Sequence, residues 1–217
     1  MTRKSPAIKE LVASYRKIKP EIDKRLAEFR SIMDDGRRTT DDEIFSELSF
    51  CLLTANANAL RCNDAIRELK EKGLLFSAPP HRLKPFLKGR VRFHNKKADF
   101  LVGSRKHYDT IRDKLNKEDA IALRDWLVEN IKGYGFKESS HFLRNIGLGS
   151  DIAILDRHIL KNLKKYGVIK NIPDSVGSRK VYLEIEEKMR RFSRQTGIPL
   201  DALDLLFWSL QTGFVFK

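Results

Sequence analysis

From Ile8 onward the apolar residues of this 217-residue chain return every three or four positions, and no convincing period of two appears. That is the signature of helices packed through one face, and it argues against half-buried strands. Ile8, Leu11, Val12, Tyr15 and Ile18 form one stripe, which Pro20 is expected to interrupt before Ile22, Leu26, Phe29 and Met33 resume it. Residues 34–38 read as a turn. Thr40 and Glu43 read as a capping box, opening a helix with Ile44, Leu48, Cys51, Leu52 and Ala55 on one face. A further helix ends at Gly73, and Ala78-Pro79-Pro80 reads as a loop. One helix from about Asn95 turns Ala98, Leu101, Tyr108, Ile111 and Leu115 inward. The next carries Ala120, Leu123, Leu127 and Ile131 and stops at Gly133. Phe142, Leu143 and Ile146 lie on a helix stopped by Gly147. Two more follow Asp156 and Pro173, and the last opens with Pro199 in its first position. The fold class is all-α, with nine or ten helices.

Apolar residues make up 41% and charged residues 33%, which suits one or two small globular domains and excludes extended disorder. No apolar run approaches the about 20 residues needed to cross a bilayer, and no hydrophobic signal core follows Met1. Cys51 and Cys62 do not make a disulfide framework, which fits a reducing cytoplasm. Lys and Arg number 43 against 29 Asp and Glu, a formal charge of +14. Such an excess points to a polyanion, with nucleic acid ahead of an anionic membrane surface. The charge is concentrated. Residues 82–106 hold nine basic side chains against Asp99 alone, and residues 157–170 hold five and no acid. Arg82, Lys84, Lys88, Arg90, Arg92, Lys96 and Lys97 fall among turns and a helix start, where basic groups and free amides can grip phosphate. A solvated surface is the ordinary alternative for such a run.

The most informative stretch is Ile131-Lys132-Gly133-Tyr134-Gly135-Phe136-Lys137-Glu138. Helix, Gly-Tyr-Gly, helix is a tight hairpin. Gly133 and Gly135 permit positive φ and close approach of a DNA backbone, although G-x-G joins many helical hairpins. The second helix presents its first amides as an anion site. Lys137 falls in its first turn, where the dipole disfavours a further cation. Partial burial adds to that, the route by which a Schiff-base lysine is activated, but taken alone Lys137 reads as an ordinary surface lysine in a slightly unfavourable place. Nineteen residues on, Asp156 follows the apolar run Ala153-Ile154-Leu155 and precedes a helix. It reads as an N-cap. A carboxylate fixed there, facing the hairpin, suits proton transfer or stabilisation of developing positive charge.

The hairpin, the loop Gly147-Leu148-Gly149-Ser150-Asp151 and Asp156 resemble the helix-hairpin-helix DNA glycosylase superfamily, although the loop lacks that family's proline. Gly135-Phe136-Lys137-Glu138 and Ile154-Leu155-Asp156-Arg157-His158 resemble its 8-oxoguanine DNA glycosylase/AP lyases. The short length and the ending from Phe207 to Lys217 resemble the type 2 branch of archaea and some bacteria. The likeness runs from about residue 40 to the end. It implies a two-domain helix-hairpin-helix glycosylase fold. Residues 39–153 would hold the hairpin, residues 1–38 with 154–217 would form the second domain, and Lys137 and Asp156 would face each other across the cleft.

The resemblance also implies the activity: 8-oxoguanine flips out of double-stranded DNA. Lys137 attacks C1′, Asp156 stabilises the oxocarbenium charge, and β-elimination follows from the Schiff base, with the released base or Asp156 as proton acceptor. Trp208 would stack on the base and Lys217, with its terminal carboxylate, bond its edge; Trp208 also fits a core position. Leu52 to Arg61 is similar to the segment that fills the gap left by the base. Asn56 and Arg61 there either contact the orphaned cytosine or are polar residues at a helix end. Gly133, Gly135, Arg90, Arg92, Lys96, Arg157 and His158 would contact DNA backbone, and Asn95-Lys96-Lys97-Ala98 resembles a motif that opens a structural helix. No cofactor is implied beyond a monovalent cation, Na+ or K+, on the carbonyls of Glu129, Ile131 and Tyr134. The five histidines lack zinc-ligand spacing, and the four-cysteine iron–sulfur loop of related endonucleases is absent. The expected protein is a cytoplasmic, nucleoid-associated monomer that binds no membrane. A glycosylase for another damaged base and a non-catalytic DNA-gripping hairpin are the alternatives.

Overall fold

The computed structural model describes residues 6–34, 41–115, 117 and 119–217, whose regular structure is all helical. The elements are α1 (Pro6–Asp34), α2 (Asp41–Thr54), α3 (Ala59–Glu71), α4 (Pro80–Leu87), α5 (His94–Ser104), α6 (Tyr108–Leu115), α7 (Ala120–Asn130), α8 (Phe136–Asn145), α9 (Arg157–Lys165), α10 (Arg179–Thr196) and α11 (Leu200–Thr212). Among the described residues that makes eleven α-helices rather than nine or ten. No helix there is long and apolar enough to cross a membrane. The Thr40 capping box and most of the turn at residues 34–38 lie outside the described residues.

Four local readings are corrected. Pro20 does not interrupt the first helix, because α1 runs straight through it. Tyr15, Ile22 and Phe29 are all buried and spaced by seven residues, so the apolar stripe keeps its phase and its packing outweighs one lost main-chain bond. Residues 78–80 are not all loop: Pro79 is the N-cap and Pro80 the first residue of α4, a position proline suits. The helix from Asn95 is broken by a 3-10 turn at Arg105–His107 before α6 begins. There the Arg105 guanidinium bonds the carbonyls of Leu74, Leu75 and Ala78 and closes the α3–α4 connection. Pro199 is the N-cap of α11 rather than its first residue.

Two hydrophobic cores organise the helices. One is built from α2 to α8, with Leu48, Leu52, Leu69, Leu101, Leu127 and Phe142 at its centre. The other joins α1 to α9, α10 and α11 through Leu11, Ile22, Leu163, Tyr182, Met189 and Phe207. Phe136, the first residue of α8, packs into this second core and pins the start of α8 between the two. At Gly147 (φ +85°) an added Cβ would lie 2.7 Å from Arg30 Cα, so α1 packs directly on the end of α8.

Lys97 is not part of a phosphate-binding strip. It is 5% exposed, and its ammonium bonds the carbonyls of Leu53, at 2.8 Å, and Ala55 at the end of α2. Those carbonyls have no partner within the helix, so a buried cation caps them. Burial pushes this lysine down to about 8. Lys97→Met keeps the stem and removes the donor. The expected loss is about 1–3 kcal/mol of stability, read as a lower urea midpoint at unchanged m-value.

Candidate active site

The hairpin is shaped by contacts that only one residue type tolerates. Gly133 has φ +91°, and an added Cβ would meet the Phe100 ring at 2.7 Å. Gly135 differs from expectation: its φ of −113° is ordinary extended backbone, and it serves as the N-cap of α8. Glu138 accepts the Gly135 N–H at 3.2 Å, and the Tyr134 hydroxyl donates to the Leu48 carbonyl at 2.6 Å, tying the hairpin to α2. Lys137 is therefore held in the first turn of α8. Its side chain is one-fifth exposed, with Nζ 3.8 Å from the Glu138 carboxylate.

Asp156 ends the irregular segment of residues 152–156 and caps α9, its Oδ1 accepting the Ile159 N–H at 2.8 Å. The second oxygen is not used by the cap. Lys137 and Asp156 line one cavity of about 220 Å³, with Trp208, Lys217, His158 and Thr54 among its other walls. That volume suits a single heterocyclic base rather than an extended ligand. Both residues also line a wider groove of about 880 Å³ that takes in Asn56, Arg92, Gly135 and Arg157.

The cavity floor is charged and buried. Arg144 pairs with Asp204 at 2.9 Å, and both are buried. Burial pushes the Asp204 carboxyl up to about 6; Arg144 opposes the shift, Asp156 adds to it and Lys137 opposes it. Burial holds His141 neutral, well below the usual imidazole range, and Lys137, Arg144 and Lys217 reinforce this. Trp208 stands edge-on to His158, which is bonded to Gln211, and its buried Nε1 has no hydrogen-bond partner among the described residues. The Lys217 ammonium is committed to Glu47 at 2.6 Å and lies 4.4 Å over the Phe50 ring.

A family model described as 8-oxoguanine DNA glycosylase matches residues 22–198. The chain belongs to the 8-oxoguanine DNA glycosylase family. An 8-oxoguanine DNA glycosylase/AP lyase of Fusobacterium nucleatum is 40% identical over 99% of this chain and 100% of its own length. The crystal structure of the Methanocaldococcus jannaschii 8-oxoguanine DNA glycosylase superposes with a TM-score of 0.87 at 38% identity, covering 97% of this chain and 96% of that one. The same protein's complex with a 15mer DNA containing 8-oxoguanine gives 0.85 at 37% identity, over 96% of this chain and all of that one.

Not every residue expected of a glycosylase of this family reaches the cleft. Asn56 does, at a turn with φ +54°, and so do Arg92, Arg157 and His158. Arg61 and Arg90 instead flank a separate depression on α3, where Arg90 pairs with Glu68. Lys96 is exposed in the first turn of α5, and Gly133 is exposed at the hairpin. Three cavity residues escaped the sequence reading, although a helical wheel would have found them. His141 and Arg144 stand four and seven residues after Lys137 on one face of α8, and Asp204 stands four before Trp208 on α11. Phe93 escaped it too. It is 56% exposed at φ +58°, with the Arg92 guanidinium 4.9 Å over its ring. Among the described residues no three His, Cys, Asp or Glu side chains form a metal-sized group. A monovalent cation at the hairpin would rest on carbonyls alone, of which Ile131 already accepts the Tyr134 N–H at 3.1 Å.

Proposed function

We propose that this protein excises 8-oxoguanine from duplex DNA through a lysine Schiff base and then cuts the abasic site by β-elimination. The observation that carries the reading is the convergence of Lys137 and Asp156 on one base-sized cavity walled by Trp208. A module that only grips backbone needs no such cavity.

The two cores are read as two domains, with the α2–α8 core supplying Lys137 and the other supplying Asp156 and Trp208. The flipped nucleotide enters between them, and Phe93, an exposed aromatic beside Arg92, is suited to wedge into the stack it leaves. The Lys137 amine forms a bond to C1′ as the C1′–N9 bond breaks, its electron pair leaving on the base. Asp156 offsets the positive charge that develops on the sugar. Opening of the sugar ring gives the Schiff base, which acidifies C2′; loss of that proton expels the 3′ phosphate. The Asp204 carboxylate, paired with the Arg144 guanidinium, can also accept from the N–H groups of a guanine-type edge. The unpaired Trp208 Nε1 and Arg144 Nη1 are donors that a bound base can satisfy.

Duplexes carrying one lesion each, 8-oxoguanine opposite cytosine, thymine glycol, uracil or an intact guanine, test the reading in the presence of borohydride. The 8-oxoguanine duplex is expected to be cut and trapped in excess over the others. Selective trapping on thymine glycol would overturn the assigned lesion, and strand binding without cutting or trapping would overturn the enzyme.

A further inference from the structure

Among the described residues no strand neighbours the run that delivers Asp156, yet Ile152, Ala153, Ile154 and Leu155 are all buried. Buried main-chain amides and carbonyls need partners. The Ile152 N–H and the Ile154 carbonyl find them in the neighbouring main chain, while those of Ala153 and Leu155 come from two side chains of α10 spaced four apart and so on one face. Glu186 accepts the Ala153 N–H at 2.9 Å. The Tyr182 hydroxyl bonds the Ala153 carbonyl at 2.7 Å and accepts the Leu155 N–H at 3.2 Å. Burial pushes the Tyr182 phenol up, so its proton stays in place.

The same two side chains reach the hairpin. Arg124 of α7 grips Glu186 with both terminal nitrogens, at 2.6 and 3.1 Å. Ser140, three residues after Lys137 on α8, stands with its hydroxyl 3.2 Å from the Tyr182 hydroxyl and 3.3 Å from Arg124 Nη1. Arg124 and Tyr182 are fully buried, and Glu186 is 1% exposed. An unbroken chain of bonds thus runs from the helix that carries Lys137 to the segment that ends in Asp156.

We infer that Tyr182 and Glu186, linked to the hairpin through Ser140 and Arg124, are positioning residues that hold Asp156 in register with Lys137 for base excision. Neither touches the cavity, so they act through Asp156 and are not catalytic residues. The inference rests on the proposed role of Asp156. Beyond satisfying the Ala153 and Leu155 main-chain groups, the network ties that segment to α7 and α8 through Arg124 and Ser140, a link that pairing those groups does not by itself require.

Tyr182→Phe keeps the ring, which packs against Phe136 at 5.4 Å, and removes only the hydroxyl. Single-turnover excision of 8-oxoguanine is measured with saturating enzyme for wild type, Tyr182→Phe, Asp156→Asn and the double variant. Duplex binding and far-UV circular dichroism are measured alongside. Tyr182→Phe is expected to slow excision by about 10- to 100-fold, the cost of a small misplacement of a reacting group, with duplex affinity within about 2-fold. In the Asp156→Asn background the same change is expected to alter the rate by less than about 2-fold, because the group being positioned has already lost its function. An equal slowing in both backgrounds, or none in the wild-type background, would overturn the inference. A wild-type rate for Asp156→Asn alone would overturn the proposed role of Asp156 instead. If Tyr182→Phe does not fold, Ser140→Ala carries the same four-way comparison with the rest of the network intact.

Discussion

Lys137→Gln leaves no borohydride-trapped adduct, no strand cleavage, and base excision reduced by on the order of 10⁴-fold or more. The loss is this large because the side chain is the bond-forming partner in both steps, so no other group inherits its part. The substitution is mild for the fold. Glutamine matches the length of most of the lysine stem, is a good helix former, and stands in the first turn of α8 at a site one-fifth exposed. Glu138 still accepts the Gly135 N–H, so the start of the helix is unchanged. Far-UV circular dichroism and affinity for undamaged duplex are therefore expected to match wild type. The decisive measurement is trapping on a duplex with a preformed abasic site, which removes base recognition from the comparison. An adduct that survives there would assign the nucleophile to another amine. Lys217 is the other lysine lining the cavity, and its ammonium is already bound to Glu47.

Asp156→Asn is expected to slow excision by about 10²- to 10³-fold while leaving the abasic-site adduct with Lys137 intact. Asparagine caps a helix as well as aspartate does, so the bond to the Ile159 N–H survives and α9 keeps its start. What disappears is the negative charge opposite the sugar, needed most as the base departs and least once the abasic site has formed. Single-turnover kinetics on 8-oxoguanine and on abasic DNA separate the two steps. An equal loss on both substrates would mean that Asp156 acts in the elimination as well. No loss on either would remove it from the mechanism.

Much of this was legible before any coordinates. The apolar period predicted helices because the 3.6-residue turn is a property of the backbone, written locally. Asp156 was readable as an N-cap, and the Gly-Tyr-Gly hairpin as a hairpin, for the same reason. The errors have a common cause as well. Pro20 and the break at Arg105 turned on whether distant packing would override or supplement a local preference. Lys97 looked like a surface cation in a basic run, but it is spent on the carbonyls at the end of α2, as Arg105 is on those of the α3–α4 connection. Asp204, His141 and Arg144 carry no motif at all. They matter because α8 and α11 face each other across the cavity.

The sequence by itself determined that the chain is helical, basic, built around a hairpin with a lysine in the following turn, and supplied with a carboxylate at a later helix start. Those properties depend on residues within a few positions of one another. Only the tertiary structure decided which cations remain for DNA and which are buried. It alone brought Trp208, Asp204 and Lys217 to the same cavity as Lys137, and spanned the two cores with Arg124, Ser140, Tyr182 and Glu186. Burial, pairing and pKa are set by what packs against a group from elsewhere in the chain, and no local pattern encodes that.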